Sequence, residues 1–429
     1  MNGNIKKSQR PRWKEPPANM LKSFEGIAPF VKKLAAQTYS IDNWVFKLHY
    51  RITFTIFMVS TILVCSRQYI GEHIHCMTDK GSIPPHVMNT FCFFTSTFTM
   101  VKDLNAEHLD DEFIPHPGVG PMGVNSKEEV KRHAYYQWVP FVLFGQGIMF
   151  VITHQLWKKL EGGRIKYLVD GLQLAAFSLQ DKNIKVSNRC IPTKQERDEK
   201  IKTIRKAFIE RIYISGSWSI NLMICEALNL LNVICQIYIT NTFLNGQFLH
   251  LGADVVNQGL ESSVDPLDEV FPKVTKCTFQ KYGPSGTIQN HDALCVMALN
   301  VVNDKIYTFL WFWYILLFIC TALGLIWRFV TILLHARSKL FNKIVFAYSC
   351  PGKISPWDVL TVSKYCSYTD WLFLKYLAKN LDGLVFREII ISLAEELEGE
   401  HIEPAKQSLL SSNASTAEDS DYKIEYKTD

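Results

Sequence analysis

The sequence predicts an all-α membrane protein built as a bundle of four membrane-spanning helices, with disulfide-linked extracellular loops, some β structure in the second of these loops, and a helical cytoplasmic dome. Three observations support this fold class: four long apolar runs, aromatic residues at the ends of those runs, and a difference in charge between alternate connecting segments. A helix crosses the hydrocarbon core of a bilayer with about 20 mainly apolar residues. A buried soluble core could explain one such run, but four runs with aromatic borders indicate a polytopic membrane protein.

The four runs differ in how clearly they predict a span. Ile306–Trp327 contains no charged side chain, and Tyr135–Trp157 contains one residue of the Asp, Glu, Lys, Arg and His types, which is His154. Ile212–Leu244 contains one carboxylate, that of Glu226. The first run is the weakest, because its uncharged part reaches full length only if the basic side chains at both of its ends extend to the membrane surface.

These runs and the segments between them divide the chain into spans, loops and two terminal regions. The parts are a cytoplasmic N-terminal segment with a 19-residue extension (1–50), a first span (51–70), a first extracellular loop (71–134), a second span (135–157), a cytoplasmic loop (158–211), a third span (212–244), a second extracellular loop (245–304), a fourth span (305–328), a cytoplasmic helical region (329–398) and a tail (399–429). The tail is rich in Ser, Asp and Glu, and this composition predicts disorder.

Charge predicts the orientation. Residues 1–51 carry 10 Lys and Arg against 3 Asp and Glu, and residues 158–211 carry 14 against 7. Residues 71–134 carry 5 against 9, and residues 245–304 carry 3 against 7. Because cationic segments stay in the cytoplasm, we expect both termini inside and the two acidic loops outside. The formal net charge of +5 sums these two sides, and it therefore does not indicate a nucleic-acid partner.

Each predicted extracellular loop contains two cysteines. They are Cys76 and Cys92 in the first loop and Cys277 and Cys295 in the second. The cell exterior is oxidising, so we expect these four cysteines to form two disulfides. Four cysteines allow three connectivities, and the residues alone do not choose among them. His73 and His75 beside Cys76 suggest a metal site, but a disulfide cysteine with two solvated histidines is the simpler interpretation.

The sequence predicts no enzyme, no metal site and no cofactor. Gly118, Gly120 and Gly123 form a formal GxGxxG pattern, but this pattern contains Pro121 and lies in a predicted extracellular loop. A dinucleotide site requires the pattern to follow a strand and to open a helix. We therefore expect no catalytic residues.

Four polar side chains share one face of the third predicted span. They are Glu226, Asn229, Asn232 and Gln236, at spacings of 3, 3 and 4. A carboxylate that faced lipid would be costly, so this face must lie against protein or water. It either links helices through hydrogen bonds or forms a polar wall near a permeation path, in which case Glu226 lines a pore.

Pro140 lies inside the second predicted span, near its outer end. Proline removes one helical hydrogen bond, so this residue predicts a helix kink. The kink is either a static bend that shapes an outer vestibule or a hinge for gating.

The cytoplasmic segments predict helices. Lys194–Arg211 is highly charged, with Ile201, Ile204, Phe208 and Ile212 spaced by three or four residues, as in an amphipathic helix. Its apolar face favours packing into a cytoplasmic dome, with binding of calmodulin or lipid as the alternative. Residues 370–397 are apolar enough to be its partner, with a break at Gly383.

Several motifs resemble one family. The second span opens with YYQWVPF, at Tyr135–Phe141, which resembles the signature of the innexins, the gap-junction proteins of invertebrates. HPGVG at His116–Gly120 resembles the first outer loop of that family, and FPKVTKCTFQKYGPSGT at Phe271–Thr287 resembles its second. CEALNLLNVICQ at Cys225–Gln236 resembles its third span. The resemblance extends from about Met20 to about Glu398.

The resemblance implies a large-pore channel. Subunits of similar proteins form a ring, here expected to be an octamer, and rings in apposed membranes dock through their outer loops. The resemblance also implies disulfides between the loops, Cys76–Cys295 and Cys92–Cys277. In similar channels the N-terminal segment folds into the pore mouth, which implies pore-lining roles for Met20, Leu21 and Phe24. This chain departs from the family in carrying 19 basic, proline-containing residues before Met20.

The expected function is therefore a subunit of a gap-junction channel that passes ions and small molecules between adjacent cells. The alternatives are an undocked hemichannel that releases small molecules and an adhesion or scaffold protein. The expected partners are further copies of itself or other innexins, a docked ring in the next cell, and lipid of the plasma membrane. Neither outer loop contains an Asn-x-Ser/Thr glycosylation site, and the absence of bulky sugar favours docking.

Overall fold

The computed structural model describes residues 39–70, 74–78, 83–104, 116–120, 129–169, 184–186, 189–191, 194–209, 217–258, 266–349, 362–363 and 366–397. Helices and short strands alternate along this part of the chain. The helices are α1 (Trp44–Lys47, a π-helical segment Leu48–Thr53, and Phe54–Ile70), α2 (Pro85–Thr95), α3 (Val139–Glu161), α4 (Arg164–Val169), α5 (Lys194–Ile209), α6 (Ser217–Phe243), α7 (Phe248–Gln258), α8 (Pro266–Val270), α9 (Asn300–Leu334), α10 (Lys339–Ser349), α11 (Tyr368–Asn380) and α12 (383–397). The strands are β1 (His75–Met77), β2 (Thr97–Met100), β3 (Val130–His133), β4 (Ile184–Val186), β5 (Arg189–Ile191), β6 (Val274–Tyr282) and β7 (Ile288–Val296).

Four of these helices are long and apolar enough to cross a membrane, which confirms the predicted number of spans. They are α1 over Trp44–Gln68, α3, α6 and α9. Their outward faces keep large apolar side chains exposed, as a lipid-facing surface requires. Only 22% of the apolar part of α9 is buried in the protomer, compared with 44% of that of α3. Helix α9 therefore lies at the periphery of the bundle and α3 closer to its centre.

The first spanning helix extends further toward the N-terminus than the apolar run alone suggests. It includes Lys47, His49 and Arg51, and the side chains of His49 and Arg51 find partners within the protein. The ring nitrogen Nε2 of His49 lies 2.8 Å from the Thr321 hydroxyl of α9, and the Arg51 guanidinium lies 5.5 Å from the centre of the Tyr50 ring. Paired polar groups of this kind are tolerated inside a membrane bundle.

The structure corrects the prediction for Pro140. Helix α3 begins at Val139, after a 3₁₀ turn at Tyr135–Gln137, so Pro140 occupies the first helical turn. The N–H groups of a first turn have no intrahelical acceptor, and proline at this position therefore removes no helical hydrogen bond. The predicted kink at Pro140 is wrong, because the helix starts later than the apolar run does.

A five-stranded antiparallel sheet combines strands from both loops that contain the paired cysteines. The strand order is β1-β7-β6-β2-β3. Strands β6 and β7 form a hairpin in which Val274 pairs with Val296 and Tyr282 with Ile288. The hairpin turn contains Gly286 at a φ of 78°, in the left-handed region that favours glycine. The predicted β structure of the second loop is confirmed, and the first loop contributes β1, β2 and β3 to the same sheet.

The described residues of the segments predicted to be cytoplasmic are helical apart from the small β4–β5 pair. Ile201, Ile204 and Phe208 of α5 are buried, as the spacing predicts. Arg197 and Arg205, four residues before and after Ile201 on the same side of α5, form ion pairs with α12 at 3.3 Å to Glu388 and at 2.9 Å to Glu396.

The break between the last two helices lies slightly before the predicted position. Helix α11 begins with a capping box formed by Ser367 and Asp370, and it ends at Asn380. The Leu384 N–H then donates to the Asp382 side chain at 2.9 Å, which caps α12 at its start. The break is therefore set by a new helix N-terminus and not by Gly383 alone.

Candidate functional site

Two disulfides hold the cysteine-bearing loops together. Cys76 of β1 is bonded to Cys295 of β7, and Cys92 of α2 is bonded to Cys277 of β6, across 219 and 185 residues of sequence. All four cysteines are buried. Both bridges therefore fasten an element of the first loop to the β6–β7 hairpin, and the two loops form one covalently linked unit.

The cysteine cluster has no capacity for a metal ion. The sulfur atoms of Cys76, Cys92 and Cys295 lie within 4.8 Å of one another, a spacing that could suggest shared ligation. Each of these sulfurs is already in a disulfide, and a metal requires a free thiolate. The cluster is therefore a structural crosslink.

Residues at the start of the predicted second span form hydrogen bonds with the disulfide-bonded unit. The Tyr136 hydroxyl, which is fully buried, donates to the carbonyls of Cys92 and Phe93 at 3.2 and 3.1 Å. The Gln137 side chain donates to the Phe93 carbonyl at 2.6 Å. These contacts satisfy carbonyls at the end of α2, which lack helical partners. The YYQWVPF motif thus joins a spanning helix to a disulfide-bonded loop helix.

Aromatic packing attaches the second loop to the same end of the helix bundle, beside the YYQWVPF motif. The Phe271 ring is fully buried and lies 5.7 Å from the Tyr135 ring and 5.5 Å from the Tyr307 ring of α9. The Asn300 side chain donates to the Pro272 carbonyl at 2.8 Å. These contacts connect the base of the β6–β7 hairpin to the 3₁₀ turn that precedes α3 and to the fourth spanning helix, α9.

The HPGVG segment, at His116–Gly120, contacts two inner strands of the sheet, β2 and β6. The Gly118 carbonyl accepts a hydrogen bond from the Met100 N–H at 3.0 Å, and the Gly118 N–H donates to the Asp103 carbonyl at 2.9 Å. Gly118 adopts a φ of 72°, which a residue with a side chain rarely adopts. The Lys276 ammonium of β6 donates to the Gly120 carbonyl. This segment therefore links β2 to the hairpin.

The tip of the β6–β7 hairpin presents an exposed apolar pair. Tyr282 and Ile288 face each other across the strands and are 77% and 62% exposed. The tip lies about 17 Å along the strand from Cys277, at roughly 3.3 Å per residue. A rigid base and an exposed apolar tip are what a preorganised contact surface requires, because order that exists before contact lowers the entropic cost of binding.

One buried histidine makes this sheet sensitive to pH. His133 of β3 is 3% exposed, and its Nε2 atom lies 2.8 Å from the Thr99 hydroxyl of β2. Burial, together with the nearby Lys131 ammonium, lowers the pKa of His133 to about 4. The same burial lowers the pKa of Lys131, and the Glu269 carboxylate offsets part of this effect. His133 is therefore neutral in the folded protein at neutral pH.

We expect the folded protein to lose stability through His133 as the pH falls from 6.5 to about 4. In this window the unfolded chain binds a proton that the folded chain does not, so the loss reaches about 3 kcal/mol at its acid end. His133→Gln, which cannot be protonated, should reduce the difference in thermal stability of the purified oligomer between about pH 7.5 and about pH 5. Equal differences in the two proteins would show that His133 does not carry the effect.

A second cluster lies inside the helix bundle and contains Glu226. The Glu226 carboxylate is 6% exposed and accepts hydrogen bonds from the Arg328 guanidinium of α9, at 2.8 Å from Nε, and from the Asn43 side chain at 2.7 Å. These contacts join α6 to α9 and to the start of α1. The structure therefore places Glu226 inside the protomer and not on a surface that could line a pore, and it favours the helix-linking interpretation of the polar face.

The rest of the polar face also forms contacts between helices. The Thr153 hydroxyl of α3 donates to the Asn229 side chain at 2.6 Å, and Gln146 of α3 donates to the Thr240 hydroxyl at 2.8 Å. The Gln236 amide donates to the Met149 sulfur of α3 at 3.2 Å, and it also lies 3.2 Å from the Asn232 side-chain oxygen of its own helix. The face predicted from spacing thus lies against α3, which explains why it is polar within an apolar span.

A third cluster, which the sequence did not predict, lies where the start of α1 meets the second half of α3. The Asp42 carboxylate, buried before α1, lies 3.5 Å from His154 Nδ1 of α3 and accepts from the Tyr50 hydroxyl at 3.2 Å. The Tyr50 ring stacks on the His154 ring at 3.7 Å, and the Trp157 indole donates to the Ile41 carbonyl at 3.1 Å. The sequence offered one indication of this cluster. His154 is the single ionisable residue of its type in the apolar run Tyr135–Trp157, and a buried imidazole requires a polar partner.

The three residues proposed from family resemblance to line the pore are not part of this geometry. Met20, Leu21 and Phe24 lie outside the described residues, and their roles stay predictions.

The chain is similar to one family of known proteins over most of its length. The Innexin family model matches residues 42–397. The chain is 46% identical over 383 residues to Innexin inx7 of Drosophila melanogaster, covering 88% of this chain and 85% of that protein. It is 43% identical over 381 residues to Innexin inx2 of Schistocerca americana, covering 86% and 97%, and 36% identical over 382 residues to Innexin shaking-B of Drosophila melanogaster, covering 88% and 95%. The chain therefore belongs to the innexin family, whose members form gap-junction channels.

Proposed function

We propose that this protein is a subunit of a large-pore gap-junction channel that passes ions and small molecules between adjacent cells. Eight subunits form a ring in the plasma membrane, alone or with other innexins, and the ring docks with one in the apposed cell. Both termini lie in the cytoplasm. The basic composition of residues 1–51 and 158–211 supports this orientation, because cationic segments stay inside.

The disulfide-bonded sheet is the observation that carries the proposal. It combines strands of both loops. Tyr136, in the turn before α3, and Phe271, which packs on Tyr307 of α9, connect it to the helix bundle. Tyr282 and Ile288 are exposed at the tip of its hairpin. Disulfides and anchored strands reduce the conformational freedom that docking would otherwise have to remove. The β6–β7 hairpin is therefore the proposed contact between the two rings.

Junctional and single-cell currents separate this function from its alternatives. Paired cells that express the protein should show current and small-dye transfer from cell to cell. Current in single cells without transfer between pairs would favour a hemichannel. Cell adhesion without current of either kind would favour a scaffold and overturn the proposal.

A single substitution can add a sugar to the hairpin tip. Ser285→Asn creates the sequon Asn-Gly-Thr with Gly286 and Thr287, at positions that are exposed. We expect the variant to gain a glycan, because the tip is extracellular, and to lose junctional current while keeping its single-cell current. The glycan adds bulk where the two rings meet, and it contacts nothing inside the bundle.

The matched control is Ser285→Asn with Thr287→Ala, which keeps the asparagine and removes the sequon. It should show neither the glycan nor the loss of junctional current. An unshifted mass for Ser285→Asn would contradict the extracellular placement, and a fully glycosylated variant with normal junctional current would contradict the docking role of the tip.

A further inference from the structure

We propose that helix α10 lies on the cytoplasmic surface of the bilayer, with its outer face in contact with acyl chains and its lysines in contact with anionic phospholipid headgroups. Leu340, Ile344 and Tyr348 of that face are 72%, 66% and 93% exposed. Their spacing of four residues places them within an arc of about 80° on the helix surface. We call these three residues the α10 stripe. An apolar stripe with this exposure indicates a contact with something other than water.

The opposite face of α10 is already buried within the protein. Asn342, Val345 and Phe346 are 2%, 5% and 2% exposed. The Trp371 indole of α11 donates to the Asn342 side chain at 2.9 Å, and the Phe346 ring lies 6.1 Å from the Phe386 ring of α12. These contacts fix the rotation of α10 about its own axis, and they leave the α10 stripe on the outside.

The position of α10 along the chain places it at the membrane surface. The fourth spanning helix ends at Leu334, and its side chains Phe329 and Leu333 are 61% and 46% exposed, as lipid-facing residues are. The Phe341 ring of α10 lies 5.8 Å from the ring of Trp327, which is half exposed near the end of the apolar run. Tryptophan at such a position marks the boundary between hydrocarbon and water. The first turn of α10 therefore lies at headgroup level and continues the lipid-facing surface of α9.

The positive charge of α10 and of the residues before it favours an anionic lipid surface as the partner of the α10 stripe. Residues 333–349 contain Arg337, Lys339 and Lys343 and no acidic residue. Lys339 and Lys343 are exposed and follow one edge of the α10 stripe. An apolar helix face bordered by basic side chains is typical of helices that lie on a membrane and bind anionic lipid. A bilayer surface offers acyl chains and anionic headgroups side by side, and it therefore matches both parts of this face.

Photo-cross-linking can identify the occupant directly. The full-length oligomer would carry p-benzoylphenylalanine at Ile344, in nanodiscs of phosphatidylcholine with phosphatidylserine, and the adducts would be identified by mass spectrometry. Phe329 of the fourth span is the positive control, and Thr203, on the exposed face of α5, is the negative control. Leu340 and Tyr348 provide second positions if the first substitution prevents assembly.

We expect lipid adducts at Ile344 to be comparable with those at Phe329 and at least about fivefold above those at Thr203. A covalent dimer as the main product would overturn the proposal in favour of a second copy of the chain. A crosslink within one chain, or a yield of lipid adducts equal to that at Thr203, would also overturn it.

A charge-reversal variant tests the headgroup contact separately. Lys339→Glu with Lys343→Glu should lower the share of phosphatidylserine among the lipid adducts at Ile344 by about fivefold or more, because each basic residue near the surface attracts anionic lipid. The total yield of adducts should change less, since the α10 stripe is intact. An unchanged share of phosphatidylserine would overturn the assignment of the two lysines to anionic headgroups.

Discussion

Replacing Arg328 by glutamine is expected to lower the free energy of unfolding by about 3–5 kcal/mol, the cost of leaving a buried charge without its partner. Arg328 and Glu226 have side chains that are 9% and 7% exposed, and the guanidinium contacts both carboxylate oxygens. In the variant the Glu226 carboxylate keeps only the Asn43 amide among these contacts. The measurement is the temperature at which the purified oligomer loses its size-exclusion peak, in the variant and in the unchanged protein.

The double variant Glu226→Gln with Arg328→Gln is the control for this prediction. It removes both charges, so that no uncompensated ion is left in the bundle, and it should recover most of the lost stability. Arg328→Lys should be intermediate, because lysine keeps the charge but not the two-pronged geometry. If the single and the double variants lose the same stability, the pair does not act as a unit and the interpretation is wrong.

Removing the Cys92–Cys277 disulfide should abolish junctional current. The double variant Cys92→Ala with Cys277→Ala is expected to lose about 2–5 kcal/mol of stability, because the bridge restricts the unfolded chain between two distant residues. It also frees α2 from β6, which separates the two loops at one of their two covalent links. The measurements are the current between paired cells and the thermal stability of the oligomer at equal surface expression.

Two controls separate the bridge from the cysteine side chains themselves. Cys235→Ala removes a half-buried cysteine of α6 that forms no disulfide, and it should leave junctional current unchanged. Cys92→Ala alone leaves Cys277 as a free thiol that can exchange with Cys76–Cys295, so it should be at least as damaging as the double variant. Normal current and normal stability in the double variant would show that the remaining Cys76–Cys295 bridge is sufficient to order the loops.

The spanning helices could be predicted from the sequence because each is a property of one contiguous segment. The free energy of moving a helix into a bilayer is a sum over its own side chains, and Ile306–Trp327 satisfies this criterion without reference to any other part of the chain. The amphipathic spacing of Ile201, Ile204 and Phe208 predicted their burial for the same reason. The predicted kink at Pro140 was wrong because the start of a helix depends on caps and turns, which an apolar run does not reveal.

The partners within the site could not be predicted from spacing. Glu226 and Arg328 are separated by 102 residues, and nothing in either span indicates which helix faces meet. Asp42 and His154 form a cluster only because α1 and α3 pack side by side. The strands β1, β2 and β3 contain three or four residues each, which is too short for an alternating pattern to be distinguished from a loop.

The sequence by itself determined the number of spans, the polar face of the third span and the motifs that identify the family. Only the tertiary structure decided that this polar face lies against α3, that Arg328 pairs with Glu226, and that both loops enter one sheet. The physical reason is the range of the interactions. Hydrophobicity and helical periodicity are sums over neighbouring residues, whereas an ion pair or a strand pairing requires two distant segments at a separation that packing alone sets.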